Sequence, residues 1–165
     1  MEQQRFFTKY TSIIYRLTNR YYDQTLAEYA VGAGQQFFLL RIHENPGVSM
    51  WDLARLGCFD KGTVTRGIQK LEEQGYVASE PDLQDKRIRR LFVTEKARPL
   101  LEQAYQYKRQ WVEVLTRGFS QEEANMAEAL LYRMADNAYT YMNLAGKESC
   151  NHVPTNGCSN TESLG

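Results

Sequence analysis

A predicted helix followed directly by a predicted β-hairpin constrains this chain more than any other feature. Asp60 can cap the helix, because its carboxylate can accept hydrogen bonds from the free amides of the first turn. Val64, Ile68 and Leu71 then recur at spacings of four and three residues, so they share one face. We therefore expect a short helix that buries this face and leaves the opposite face open.

The opposite face of the predicted helix is small, polar and cationic. It carries Gly62, Thr65, Arg66 and Gln69. Such a face could lie in a major groove and offer donors and acceptors to base edges without bulk. Gly75 comes next and is placed to end the helix in a left-handed conformation.

The hairpin is predicted from two short segments with β propensity. These are Tyr76–Ser79 and Arg89–Val93, separated by the polar turn Pro81–Asp85. The stretch from Lys86 to Arg90 holds four cations and no anion. Cations near the tip of a hairpin suit a phosphate backbone or a minor groove. A helix with a polar face that can enter a major groove, followed by a basic hairpin, is typical of a winged helix-turn-helix.

Four segments of the chain, in this order and spacing, resemble the MarR family of bacterial transcriptional regulators. They are Asp60–Arg66, Leu71–Val77, the pattern Asp82-x-x-Asp85-Lys86-Arg87 and the pattern Leu91-x-Val93-Thr94-Glu95-Lys96. The resemblance extends more loosely over roughly Phe6 to Leu144. It implies a homodimeric winged-helix DNA binder, often a repressor, and often one that a small molecule or an oxidant releases.

The predicted fold is mainly α with a small β-hairpin wing. It is a winged helix-turn-helix flanked by long N- and C-terminal dimerisation helices. We expect a single domain over residues 1–145, with the DNA-binding core at 34–98 and dimerisation helices at 1–31 and 100–145. Residues 146–165 are polar and without periodicity, which predicts a disordered tail.

Three helices are predicted before the Asp60 helix. Apolar spacing predicts the first over Gln3–Ala30 and the second over Gly34–His43. The third is short and begins with a capping box in which Ser49 is the N-cap and Asp52 reaches back. We expect it to be buried through Leu53, Ala54 and Leu56, and to end at Gly57.

Two further helices are predicted after the hairpin. Pro99 departs from the family pattern, because proline inside a helix removes a hydrogen bond. Either the fifth helix begins near Arg98 with Pro99 in its first position, or it is kinked there; it runs to about Arg117. Ser120 and Glu123 predict a capping box for a last helix that continues to about Leu144.

The predicted DNA contacts fall into three groups. Base-edge contacts are expected from Thr65, Arg66 and Gln69, and phosphate contacts from Lys61, Thr63 and Lys70. The family's wing motif implies that Arg87 enters or grips the minor groove, helped by Lys86 and Arg89. Two alternatives stay open: Arg66 as a solvated surface cation, and Arg87 in a salt bridge to Asp85 or Asp82.

Composition narrows the class of protein. The 165 residues carry a formal net charge of +0, so any DNA-binding surface must be local. Apolar runs fall short of the about eighteen residues of a membrane helix, and a signal-peptide core is lacking, so we expect a cytoplasmic protein. Motifs for phosphate loops, zinc peptidases and serine hydrolases are missing, which argues against an enzyme, and no cofactor is expected.

Two rival functions remain open at this point. A winged-helix module could dimerise and bind protein in place of DNA. A redox or metal sensor could act through Cys58 or through the tail cysteines Cys150 and Cys158, with His152 as a further zinc ligand. The simpler interpretations are that Cys58 is a small apolar filler and that His43 is a residue at a helix end.

Overall fold

The structure is a computed structural model that describes residues 6–145. Its elements in chain order are α1 (Phe7–Thr25), α2 (Ala33–Glu44), β1 (Val48–Ser49), α3 (Met50–Gly57), α4 (Lys61–Glu73), β2 (Val77–Pro81), β3 (Arg89–Val93), α5 (Arg98–Leu115) and α6 (Gln121–Ala145). The chain up to Phe119 forms one compact unit and the chain from Ser120 forms a second, so α6 is described by itself. The predicted mainly helical fold with a small β wing is confirmed.

The sheet has three antiparallel strands in the order β1-β3-β2. The two predicted hairpin strands are confirmed, with β2 displaced to Val77–Pro81. Pro81 is tolerated because β2 is an edge strand. Strand β1 was not predicted, because two residues are too few to show an alternating pattern. Its Val48 pairs with Leu91 of β3 and so ties the wing to the segment before α3.

Helix α4 is anchored in the core as its sequence predicts. Val64, Ile68 and Leu71 are all buried. Gly67 lets α4 approach α2 closely, since a Cβ there would lie 2.5 Å from the ring of Phe38. The remainder of this core comes from the other elements and connecting segments of the unit: Leu26, Val31, Leu39, Leu40, Ile42, Val48, Leu53, Val77, Leu91, Ala97, Leu100, Leu101 and Ala104.

The first helix is shorter than predicted. Residues 1–5 lie outside the described part of the chain, and α1 ends at Thr25 where the prediction continued to Ala30. A single 3₁₀ turn follows, and Ala30 takes a left-handed conformation with φ 54°. The Asp23 carboxylate accepts from the amide of Ala33 at 2.9 Å. This bond turns the chain into α2, an ending that apolar periodicity alone does not reveal.

The predicted N-cap of α3 at Ser49 is confirmed, and the Asp52 side chain reaches back to the Ser49 hydroxyl and so replaces the reciprocal bond of a capping box. The Asp52 amide donates to Ser49 Oγ at 3.1 Å, and that hydroxyl donates to Asp52 Oδ2 at 2.7 Å. The predicted burial is wrong for Leu56, which is 38% exposed. Residues two apart on a helix lie on different faces, so Leu56 and Ala54 cannot both face the core. Gly57 is still helical, and Cys58 takes the left-handed ending.

The helix after the wing begins as the first of the two alternatives predicts. A 3₁₀ turn over Glu95–Ala97 leads into α5, whose first turn contains Pro99. Helix α5 ends at Leu115, two residues before the predicted end, and Trp111 Nε1 donates to Thr18 Oγ1 of α1 at 2.8 Å. None of the helices in the described residues has the length and apolar character needed to cross a membrane.

The capping box of α6 is also confirmed. The Ser120 amide donates to Glu123 Oε2 at 2.7 Å, and the Glu123 amide donates to Ser120 Oγ at 3.2 Å.

Large apolar side chains are exposed on the terminal helices. On or just before α1 they are Phe6, Phe7, Tyr10, Ile14, Tyr15 and Leu17, and on α6 they are Met126, Leu130, Leu131, Tyr132, Tyr141 and Met142.

Candidate nucleic-acid interface

The start of α4 is fixed by its N-cap. Asp60 accepts from the Thr63 amide at 2.9 Å, and the Thr63 hydroxyl donates to the same carboxylate at 2.6 Å. These two hydrogen bonds lower the pKa of Asp60, because they stabilise the charged carboxylate. The buried face sets the rotation of the helix, which leaves Arg66 and Gln69 exposed and Thr65 half-buried.

The wing loop is organised by the carboxylate of Asp82. It accepts from the Gln84 amide at 2.8 Å and the Asp85 amide at 3.0 Å. Its other oxygen accepts from Arg90 Nε at 2.7 Å. The hydrogen bond from the Asp85 amide, followed by that from Arg90, lowers the pKa of Asp82 to about 2. The loop is therefore held in one conformation by a carboxylate that stays charged at neutral pH.

The basic side chains that follow this loop are largely open to solvent. Lys86 and Arg87 are exposed. In the part of the chain that the structure describes, the ion pair at Asp82 is formed by Arg90 and not by Arg87. The Asp85 carboxylate accepts from the backbone amide of Arg87 at 3.0 Å, and this bond orders the backbone at Arg87.

Helix α3, the first half of α4 and the wing border an open groove of about 630 Å³. The predicted contact residues that line it are Lys61, Thr65, Arg87 and Arg89. The groove is also lined by Ser49, Met50, Trp51, Asp52, Ala54, Val64, Ile88 and Arg90. Its walls therefore carry four cations and one carboxylate, which favours a polyanionic partner.

The remaining predicted residues of α4 lie elsewhere on the helix. Thr63 lines a second cavity, of about 540 Å³, between α1, α2 and α4. The Arg66 guanidinium donates to the Thr63 hydroxyl at 3.4 Å, a long bond that leaves the side chain exposed. Gln69 and Lys70 are exposed further along α4. The base-contact and phosphate assignments of these residues stay predictions.

The sequence of this chain is similar to those of known transcriptional regulators. A sequence model described as the MarR family matches residues 33–88. The chain is 41% identical over 107 residues to the uncharacterised HTH-type transcriptional regulator YybA of Bacillus subtilis (strain 168), covering 63% of this chain and 69% of YybA. This chain belongs to the MarR family. The family predicted from the wing and helix motifs is confirmed.

Solved structures of MarR regulators share the fold of this MarR-family chain. A MarR transcriptional regulator from Methanosarcina mazei Go1 is 31% identical and superposes with a TM-score of 0.78, covering 84% of this chain and 99% of that one. A MarR-family regulator from Listeria monocytogenes, solved with a 26-mer DNA, is 23% identical. It shows the same fold, with a TM-score of 0.81 over 90% of this chain and 100% of that one.

Two side chains near the groove were not predicted from the sequence of this MarR-family chain. Arg90 pairs with Asp82 and also donates to the Gly47 carbonyl at 3.3 Å. Trp51 is 63% exposed on the groove wall, with the Arg55 guanidinium 4.5 Å from its ring centroid. The sequence signal for Trp51 is an aromatic residue two positions after the N-cap Ser49 and two before the buried Leu53, and residues two apart on a helix lie on different faces.

The candidate sensor residues have mixed outcomes. Cys58 is exposed, so its interpretation as a small apolar filler is wrong. Its backbone is left-handed, with φ 52°, at the C-cap of α3. Near the end of α2, His43 Nδ1 lies 3.1 Å from the Tyr105 hydroxyl. The tail residues Cys150, His152 and Cys158, with the predicted disorder, lie outside the described residues, which themselves contain no cluster of three metal-binding side chains.

Proposed function

We propose that this MarR-family chain is a homodimeric, sequence-specific DNA-binding transcriptional regulator that represses from a roughly palindromic operator in the cytoplasm. The observation that carries this proposal is the basic groove itself. Lys61 and Thr65 of α4 and Arg87 of the wing border one open groove. Helix α4 is fixed by its buried apolar face and the wing loop by the hydrogen bonds of Asp82. A helix and a cationic hairpin presented together can address a groove and its flanking phosphates at once.

The side chains divide by position into base and phosphate contacts. Arg66 and Gln69 are exposed on α4 and Thr65 is half-buried, and all three have groups that hydrogen-bond base edges. Lys61, Thr63 and Lys70 are assigned to phosphates, and Arg87 with Lys86 to the minor groove or its edges. The related regulator from Listeria monocytogenes, which shares this fold, was solved with a 26-mer DNA, which supports a duplex as the partner.

Dimerisation is proposed from the apolar side chains of the terminal helices. Helix α1 buries none of its residues within the chain, and α6 exposes Leu130 and Leu131. Burial of such exposed apolar surface against a second copy of the chain would stabilise a dimer. Residues 34–98 are then the DNA-binding core, while 1–31 and 100–145 form the dimer. A two-fold dimer would place two α4 helices about one DNA turn apart.

Relief by a small molecule is proposed from the second cavity. Its wall includes Tyr22 of α1, Phe38 of α2 and Gly67 of α4. A ligand held there would touch the helix that carries the base contacts, and could shift binding only through different affinities for the two states. The relatives are transcriptional regulators, so we assign this chain a regulatory and not a catalytic role.

Selection of bound sequences from random duplex DNA tests the proposal. We expect a palindromic site bound by two chains, with the stoichiometry read by light scattering of the complex. A gel shift at several salt concentrations on the enriched site should show affinity that falls as salt rises. If the chain dimerises but enriches no sequence, the rival protein-interaction module is favoured. Triple Cys→Ser with unaltered regulation would remove the redox sensor.

A further inference from the structure

A polar network connects the end of α4 with both strands of the wing. Ser79 of β2 donates through its hydroxyl to Glu72 Oε1 of α4. The Arg89 guanidinium of β3 donates to Ser79 Oγ through Nε at 3.2 Å and to the Ser79 carbonyl through Nη2 at 2.8 Å. We infer that Ser79 is a positioning residue, and that Glu72, Ser79 and Arg89 hold the wing at a fixed angle to α4.

The pleat of the sheet explains why these three residues meet. Ser79 pairs with Leu91, and Pro81 pairs with Arg89, so Arg89 is the diagonal neighbour of Ser79 on the same face. That face also carries buried Leu91 and is turned toward the core. Arg90 lies on the opposite face, where it pairs with Asp82. The alternation of β3 therefore assigns its two arginines to different tasks.

The chemistry of the network favours a single arrangement. The Ser79 hydroxyl accepts from a guanidinium while it donates to a carboxylate, so each bond polarises the other. The network joins a cation and an anion through one neutral group that touches both. Glu72 lies three residues after Gln69, one turn from the proposed base contacts. The network therefore fixes the position of the wing relative to α4, the helix proposed to contact the bases.

This network changes the predicted role of Arg89. The sequence assigns Arg89 to DNA together with Arg87, because both lie in one basic run. In the structure both arginines are exposed and line the groove. The Arg89 guanidinium is bonded to the Ser79 carbonyl and hydroxyl, and this bonding sets Arg89 apart. Arg89 then acts by setting the position of Arg87, and the contact with the minor groove or its edges belongs to Arg87. The inference rests on the proposed function, since it explains how the two DNA-facing elements keep one spacing.

Ser79→Ala is the decisive variant, because it removes no charge. We expect it to weaken binding to the selected operator about tenfold, the value of a hydrogen bond to charged groups, with the salt slope unchanged. Ser79→Thr keeps the hydroxyl and should restore most of the affinity. Ser79→Ala removes the hydroxyl bonds to Arg89 and Glu72 but keeps the bond from Arg89 to the Ser79 carbonyl. If Arg89 were a direct phosphate contact, losing the hydroxyl would leave its guanidinium less restrained, and binding would stay equal or tighten. That result overturns the inference.

Glu72→Ala is a second test, because electrostatics and the network predict changes in DNA affinity of opposite sign. Removing a carboxylate near DNA should tighten binding by electrostatics alone, whereas losing the acceptor of the network should weaken it. The matched control is Glu73→Ala, which removes the adjacent negative charge and leaves Ser79 in place. We expect weaker binding for Glu72→Ala and equal or tighter binding for Glu73→Ala. Tighter binding for both variants would contradict the network.

A measurement without DNA separates this inference from the proposed function. Residual dipolar couplings of the β2, β3 and α4 amides should fit one common orientation in the parent chain and lose that fit in Ser79→Ala. Thermal unfolding of both proteins shows that the variant is folded. If the parent enriches no DNA but the couplings change, the proposed function fails while the network stands. Unchanged couplings in a folded Ser79→Ala refute the network itself.

Discussion

Helix α4 and the wing border the same groove, but they are held by different physics. Val64, Ile68 and Leu71 anchor α4 through apolar burial, which involves no ionisable group. The wing tip has almost no such anchor, and Leu83 within it is 99% exposed. Its conformation depends on the hydrogen bonds of Asp82 and on the ion pair with Arg90.

This difference teaches where each element is vulnerable. Each large apolar side chain buried on α4 stabilises the whole unit by roughly 1.5–3 kcal/mol, so a change there acts on global folding. Hydrogen bonds at the exposed wing order a local loop and contribute little to global stability. Substitutions on the two elements should therefore separate into effects on stability and effects on recognition, and the following tests can break or sharpen that separation.

The largest effect is expected from the anchor of α4. Ile68→Ala removes a fully buried side chain and leaves a cavity, so the free energy of unfolding should fall by ~2–5 kcal/mol. Urea denaturation followed by circular dichroism measures it. The control is Gln69→Ala on the exposed face, which should shift stability by less than about 0.5 kcal/mol. Equal losses for both variants would mean that α4 is not held by its buried face.

The next effect concerns base selection by α4. Arg66→Ala should cost ~1–3 kcal/mol at its own base position and relax the preference there, because a bidentate donor is lost. Sequencing of bound members of an operator library measures this change. Stability should match that of the parent, since Arg66 is exposed. An identical preferred site for variant and parent would show that Arg66 is only a solvated cation.

A broader but less specific effect is expected from the wing. Arg87→Ala should weaken binding to every duplex and lower the slope of log affinity against log salt by about one. Titrations at several salt concentrations measure the slope. Lys86→Ala removes a cation at the adjacent exposed position, and its slope is compared with that of Arg87→Ala. An unchanged affinity and slope for Arg87→Ala would exclude this arginine as a DNA contact.

The smallest effect is a local response of the wing to pH. The folded pKa of Asp82, at about 2, lies below its ordinary value, so the ordering that it supplies is complete above about pH 4 and is lost as pH falls through 2. Carboxyl-carbon NMR should place its titration near pH 2. At neutral pH, Asp82→Asn should speed hydrogen exchange at the Gln84 and Asp85 amides and spare α4. An ordinary titration near about pH 4 would mean that the wing bonds are not formed in solution.

Local signals in the sequence were enough for most of the fold. The N-caps Asp60, Ser49 and Ser120 act within three residues of themselves, so the starts of their helices follow from neighbouring residues alone. Spacing placed the buried face of α4, and therefore its exposed face as well. The wing and helix motifs identify the family because their order and spacing along the chain are more specific than any one of them.

Only the tertiary structure decided what the arginines of β3 do. The bond from Arg90 to the Gly47 carbonyl spans 43 residues, and the pairing of Val48 with Leu91 defines a strand two residues long. A run of cations looks uniform in sequence, yet the pleat sends Arg89 toward Ser79 and Arg90 toward Asp82. Partners that meet through folding leave no local pattern, because their attraction depends on distance in space and not along the chain.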